Sequence, residues 1–210
     1  MIQTLVIVAG GNLAKIDSAI IARADFIIGV DYGAYWLVAH GISPHVALGD
    51  FDSVSPSQFT RIRKQSAKVL KYPATKDKTD LELAIDEAIG HRPAEVIIYG
   101  VIGSRLDHTL VATILLERLL QAQIPARIID EHNELFLLDK AMTLSSSQHT
   151  YLSIVPQTAT ARVTMTGVKY PVVKKIFHRT TTLGISNELV GEGIIRVHEG
   201  VVLVVRSKDR

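Results

Sequence analysis

The stretch Val96-Ile97-Ile98-Tyr99-Gly100-Val101-Ile102-Gly103-Ser104-Arg105-Leu106-Asp107-His108 decides the fold. A short apolar run predicts a strand over Val96–Gly100, and the periodic pattern from Asp107 to Gln121 predicts the helix that follows it. The same alternation extends outward. Further strands are expected at Leu5–Ala9, Phe26–Val30, Val46–Leu48, Lys68–Tyr72 and Ala126–Ile129. Helices are expected at Leu13–Ala22, Ala34–His40, Pro56–Ser66 and Thr79–Ile89. Strands alternating with helices of this length imply an α/β domain, a mostly parallel sheet with helices flanking both faces. Thr79 and Glu82 have capping-box spacing at one helix start, while Gly41 and Gly90 are candidate helix ends.

The texture changes near residue 134. Glu134–Leu138, Tyr151–Val155, Ala161–Met165, Ile194–Val197 and Val201–Val205 are β-branched or alternating, and glycine, serine and threonine separate them. The chain therefore divides into an α/β domain over residues 1–133 and a smaller all-β domain, a sandwich or open barrel, over 134–210. No repeat or linker-like tract lies between them.

Composition narrows the function classes. The 210 residues are 47% hydrophobic, which excludes disorder and leaves room for a substantial core. With 23 basic and 21 acidic residues the net charge is only +2, so nucleic-acid binding has no electrostatic support beyond Lys174-Lys175 and the tail from Arg206 to Arg210. Cysteine is absent, which removes thiolate metal sites and cysteine nucleophiles. Met1–Ala9 lacks a basic leader and meets Gly10-Gly11, so it reads as a strand rather than a signal peptide. No apolar run has the length of a membrane span, and the expected location is the cytoplasm.

Ligands of an open parallel sheet bind beyond the carboxyl ends of its strands. Asp31, Asp50, Asp52, Asp77, Asp80 and Asp107 all follow predicted strands and fall on that rim. Asp50 and Asp52 flank Phe51, so an extended backbone would aim both carboxylates one way and let them share a metal ion; an Asp-rich turn is the plainer alternative. Asp77 and Asp80 sit at a helix start, where an acid also favours the macrodipole. The loop Gly100–Arg105 leads from strand to helix, placing amides and Arg105 where they can hold phosphate, although it matches neither the Walker A nor the dinucleotide fingerprint. Its alternative is a glycine turn with Asp107 as N-cap. Gly10-Gly11-Asn12 is a second, weaker turn of this kind. His108 is a phosphate contact or a surface histidine. None of the eight histidines has zinc spacing, and the all-oxygen acidic set favours Mg2+. No G-x-S-x-G elbow occurs, so serine-hydrolase chemistry is not expected.

Taken together, Asp31-Tyr32-Gly33-Ala34, Gly49-Asp50-Phe51-Asp52-Ser53, Asp77-Lys78-Thr79-Asp80, Gly103-Ser104-Arg105-Leu106-Asp107-His108 and Gly184-Ile185-Ser186-Asn187-Glu188 resemble the thiamine pyrophosphokinase family over almost the whole chain. The resemblance implies transfer of the pyrophosphoryl group of ATP to the hydroxyl of thiamine, with release of AMP. It implies an ATP-binding catalytic domain followed by a thiamine-binding β domain, in homodimers with shared sites. By the same resemblance Asp50, Asp52 and Asp80 bind Mg2+, and Asp107 lies near the transferred phosphates. Gly103, Ser104 and Arg105, with Asp77 and His108, contact ATP, while Asp31, Ser186 and Asn187 serve thiamine. Some members stack thiamine on a C-terminal tryptophan, whereas the one tryptophan here is Trp36. The rivals are a pyrophosphokinase acting on a hydroxymethyl pterin and a non-catalytic thiamine-diphosphate or nucleotide sensor.

Overall fold

The structure, a computed structural model, describes residues 2–209; Met1 and Arg210, the outer ends of the two expected domains, lie outside the described residues. The chain forms two compact units, the first ending at Glu131 and the second beginning at His132.

The first unit is a parallel sheet. Its strands are β1 (Thr4–Val8), β2 (Phe26–Val30), β3 (Val46–Gly49), β4 (Lys68–Lys71), β5 (Glu95–Tyr99) and β6 (Ala126–Ile129), in the order β4-β3-β2-β1-β5-β6. Helices α1 (Ser18–Ile21), α2 (Tyr32–Ala39), α3 (Pro56–Gln65), α4 (Asp80–His91) and α5 (Leu106–Gln121) fall between the strands. On β1, Val6 and Val8 pack with Trp36 and Leu37 of α2. Leu5 and Ile7 alternate to the opposite face and are also fully buried, which explains the unbroken apolar runs of the central strands. Helices α4 and α5 pack on each other and on β2, β3 and β6. Strand order reverses direction at β1, whose neighbours are β2 and β5. This switch point opens a crevice at the carboxyl rim.

Local chemistry sets the helix ends, and some expectations are corrected. The first helix is four residues rather than the ten of Leu13–Ala22, because the Asp17 carboxylate accepts the Ala19 N–H and starts it there. A full capping box of Ser55 and Gln58, with Pro56 at the first position, opens α3. Thr79 caps α4 through the Glu82 N–H, but the Glu82 carboxylate turns to Arg118 instead of closing the box. Gly90 stays inside α4, which ends with Arg92 in the left-handed region. Gly41, at φ +76°, does follow α2. Arg105, rather than Asp107, occupies the N-cap position of α5.

The second unit is an antiparallel sandwich. One sheet contains β7 (Asn133–Leu138), β13 (Val202–Ser207) and β9 (Tyr151–Pro156), with β13 central. The other runs β11 (Val172–His178), β10 (Thr160–Val168), β12 (Leu189–Glu199), β8 (Ala141–Leu144). Phe136, Ile154 and Val204 of the first sheet share one core with Val163, Phe177 and Ile195 of the second. The buried pair Arg206–Glu134, at 3.1 Å, ties β13 to β7.

Candidate active site

The acidic rim begins with a buried aromatic. Phe51 packs with Ala34, Val38 and Ile62, and its ring lies 4.8 Å from that of Phe59. Burying it carries the backbone to φ 62°, so the Asp50–Asp52 segment is a turn and not the extended pair expected. The two side chains nevertheless remain in hydrogen-bonding contact. Asp50 turns inward, its Oδ1 accepting the Asp52 N–H at 3.0 Å, while Asp52 itself is exposed.

Asp50 also meets Asp31 and Asp80, and one carboxylate oxygen from each of the three lies within 4.8 Å of the others. Each comes from a different strand-end loop, after β2, β3 and β4. Asp31 precedes α2 with φ 47° but does not cap it; its Oδ1 accepts the Phe51 N–H at 3.0 Å. Gly49 is required beneath it, because a Cβ there would fall 1.9 Å from Asp31 Oδ1. Burial pushes the Asp31 carboxyl up to about 7, against the Phe51 hydrogen bond, and the charges of Asp80, Asp50 and Asp52 push the same way. Asp50 is held below the usual carboxylate range by the Asp52 N–H and, after the opposing effect of burial, by Lys76.

Lys76 is the site residue that sequence reasoning missed. Its Nζ lies 3.1 Å from Asp80 Oδ1 and 3.5 Å from Asp50 Oδ2. Lys76 and Lys78 flank Asp77 in the same loop, and only the folded loop shows which of the two turns inward. Lys78 turns the other way, to Asp86 at 2.7 Å. Asp86 and Glu82 also receive Arg118 of α5, which fastens α4 and hence Asp80. Asp77 is exposed and outside the cluster.

The residues fit a hard divalent cation. The donors are all oxygen, and Asp80 Oδ1 is buried and met by the Lys76 ammonium at 3.1 Å. Oxygens around an octahedral Mg2+ lie about 3–4 Å apart, so the cluster needs only slight contraction to hold one.

At the switch point the two glycine turns meet. The Gly11 N–H donates to Gly100 O at 2.7 Å and the Asn12 N–H to Ile102 O at 3.1 Å. A Cβ on Gly11 would lie 2.5 Å from Gly100 O, so only glycine permits this approach. Gly103 and Ser104 are exposed beside it, at the start of α5. Arg105 reaches Asp107 Oδ2 at 2.5 Å with both side chains more than three-fifths exposed, and this contact lowers the Asp107 carboxyl. His108 is a surface histidine.

In the second unit Ser186 is exposed, with φ 59°, and Asn187 is buried. The Asn187 Oδ1 accepts the N–H groups of Tyr170 and Glu188, and its Nδ2 donates to Tyr170 O. The turn is thus anchored through Asn187, and Tyr170 is 60% exposed.

Residues 18–128 match the family described as "Thiamin pyrophosphokinase, catalytic domain", and residues 141–202 match "Thiamin pyrophosphokinase, vitamin B1 binding domain". The chain belongs to the thiamine pyrophosphokinase family. Thiamine pyrophosphokinase of Bacillus subtilis is 35% identical over 99% of this chain and all of its own length. The crystal structure of a thiamine pyrophosphokinase from B. subtilis superposes with a TM-score of 0.92 at 33% identity, covering 99% of this chain and 100% of that one. The corresponding structure from Geobacillus thermodenitrificans gives 0.87 at 32% identity, covering 99% and 98%. As a thiamine pyrophosphokinase the chain is an ATP-dependent diphosphotransferase, with ATP as co-substrate; the pterin and sensor alternatives are not favoured. Among the described residues no helix is long and apolar enough to cross a membrane.

Proposed function

We propose that Asp31, Asp50 and Asp80 hold Mg2+, that the Gly11 and Gly103 turns with Ser104 and Arg105 hold the phosphates of ATP, and that the β unit receives thiamine. The observation carrying this reading is the convergence of Asp31, Asp50 and Asp80 from successive strand-end loops within 4.8 Å. Asp52, whose charge already acts on Asp31, serves the outer side of the same ion. Asp77 and His108, both exposed, lie outside the acidic cluster.

Held by these carboxylates, Mg2+ would supply charge neutralisation to the phosphates of ATP. The protein's part is placement. Arg105 exchanges Asp107 for phosphoryl oxygens, a swap made easy by the exposure of both partners. Amides at the start of α5 face the same oxygens. The thiamine hydroxyl attacks the β-phosphorus, the β-phosphorus–oxygen bond breaks so that AMP leaves with that oxygen, and the hydroxyl proton is released to water. Positioning and charge stabilisation suffice, with no covalent enzyme intermediate. For the acceptor ring, the β unit offers the exposed Tyr170, held at its backbone by Asn187, with the Ser186 hydroxyl nearby in the chain. Tyrosine there would do the stacking for which some relatives use tryptophan.

We further assign a cytoplasmic homodimer in which one subunit's β unit completes the neighbour's cleft. Mixed dimers of Arg105→Ala and Ser186→Ala subunits, verified by mass spectrometry, would then recover up to about half the wild-type rate. The direct test is incubation with Mg-ATP and thiamine, with a hydroxymethyl pterin as control. Thiamine diphosphate and AMP are expected in equal amounts; ADP with thiamine monophosphate would refute pyrophosphoryl transfer.

A further inference from the structure

Lys76 stands inside the acidic cluster rather than beside it. Its side chain is 13% exposed, and its Nζ contacts Asp80 Oδ1 at 3.1 Å, Asp50 Oδ2 at 3.5 Å and the Pro73 carbonyl at 3.2 Å. A divalent ion bound to Asp80 Oδ1 at about 2.1 Å would be a close neighbour of this ammonium. Two like charges so near each other, screened by little solvent, repel strongly. The ammonium and the ion therefore compete for the same oxygens, and the flexible lysine stem must move when the ion enters.

We propose that Lys76 is a resident counter-ion that keeps free divalent cations out of the cluster and yields to the metal–nucleotide complex, whose phosphates receive the displaced ammonium. This rests on the proposed metal site. It gives the site a loading rule: metal alone meets a competitor, whereas metal carried on a polyphosphate brings the negative charge to which Lys76 transfers.

The experiment follows Mn2+ binding by the electron paramagnetic resonance signal of the free ion, with no turnover. Wild type, Lys76→Gln and Asp80→Asn are titrated with Mn2+ alone and with Mn2+ plus α,β-methylene-ATP, whose α–β bridge the reaction cannot break. Lys76→Ala is carried in parallel in case the glutamine variant does not fold. Removing Lys76 is expected to tighten Mn2+ alone by about tenfold or more, since one charge is lost at contact distance. With the nucleotide present, that advantage is expected to vanish or reverse. Equal or weaker Mn2+ binding without Lys76, with Asp80→Asn still abolishing it, overturns the proposal and leaves the metal site standing. An undiminished advantage in the nucleotide complex overturns the transfer to phosphate. Mn2+ binding indifferent to Asp80→Asn refutes the metal site itself.

Discussion

The Asp31–Asp50–Asp80 cluster and the Ser186–Asn187 turn both take polar groups out of water, but they dispose of them differently. Asn187 satisfies its amide on the Tyr170 and Glu188 backbone, so burial there yields a fixed loop. The carboxylates face one another, and the buried Asp80 Oδ1 is met by the mobile ammonium of Lys76 rather than by backbone. The first arrangement is spent on structure; the second keeps charge in reserve for a ligand. Substitution should expose this difference as lost turnover in one region and lost stability in the other.

The largest effect is expected at the cluster. Asp50→Asn and Asp80→Asn preserve volume while removing a charge, so steady-state assays should show turnover down about 100-fold or more with melting temperature nearly kept. Asp52→Asn, on an exposed residue, should cost distinctly less. Equal losses at Asp50 and Asp52 would erase the distinction drawn from the Phe51 turn.

At Asn187 the sign of the contrast reverses. Asn187→Ala strands the Tyr170 N–H and C=O, and urea unfolding should show a loss of about 1–3 kcal/mol. Ser186→Ala, at an exposed side chain, should leave stability near wild type and raise the KM for thiamine. A fully stable Asn187→Ala protein would mean the amide is held for substrate alone.

Arg105 lies between these extremes, exposed and paired with Asp107. Arg105→Ala should raise the KM for ATP about tenfold while leaving unfolding unchanged, because one charge-assisted contact is lost. A drop in melting temperature would show that the Arg105–Asp107 pair is structural.

The smallest effect concerns pH. Asp31 has a folded pKa of about 7 against an ordinary value of 3.8, so between about pH 4 and 7 the folded state binds more protons than the unfolded state. Stability contributed by this group is therefore full at low pH and is lost as pH rises through that window. Asp31→Asn should flatten the profile, gaining on wild type near neutrality in a chelator-containing buffer and matching it near pH 4. Melts across this range provide the measurement, and an unchanged slope would show that Asp31 is solvated.

Much of this was legible beforehand, for identifiable reasons. Strands β2 and β6 have the expected bounds because short β-branched runs flanked by turn residues admit little else. Strands β8 and β11 were missed. Most β11 residues are exposed and two are lysines, so the strand carries no alternating signal. At the rim, position after a strand identifies the acids, but nothing local joins Asp31 and Lys76 to Asp50 and Asp80. The extended reading of Asp50–Asp52 failed because it treated Phe51 as a spacer, when burial of that ring sets the backbone.

Sequence by itself therefore determined the βα rhythm, the change to β texture, the family and the set of acids at strand ends. These follow from periodicity and local turn chemistry, which act within a few residues. Which carboxylates converge, which lysine neutralises them and which amide is spent on backbone were decided only by tertiary structure. Those outcomes depend on contacts between loops 20 to 50 residues apart, such as Asp31 with Phe51 and Asp80, and no local pattern encodes them.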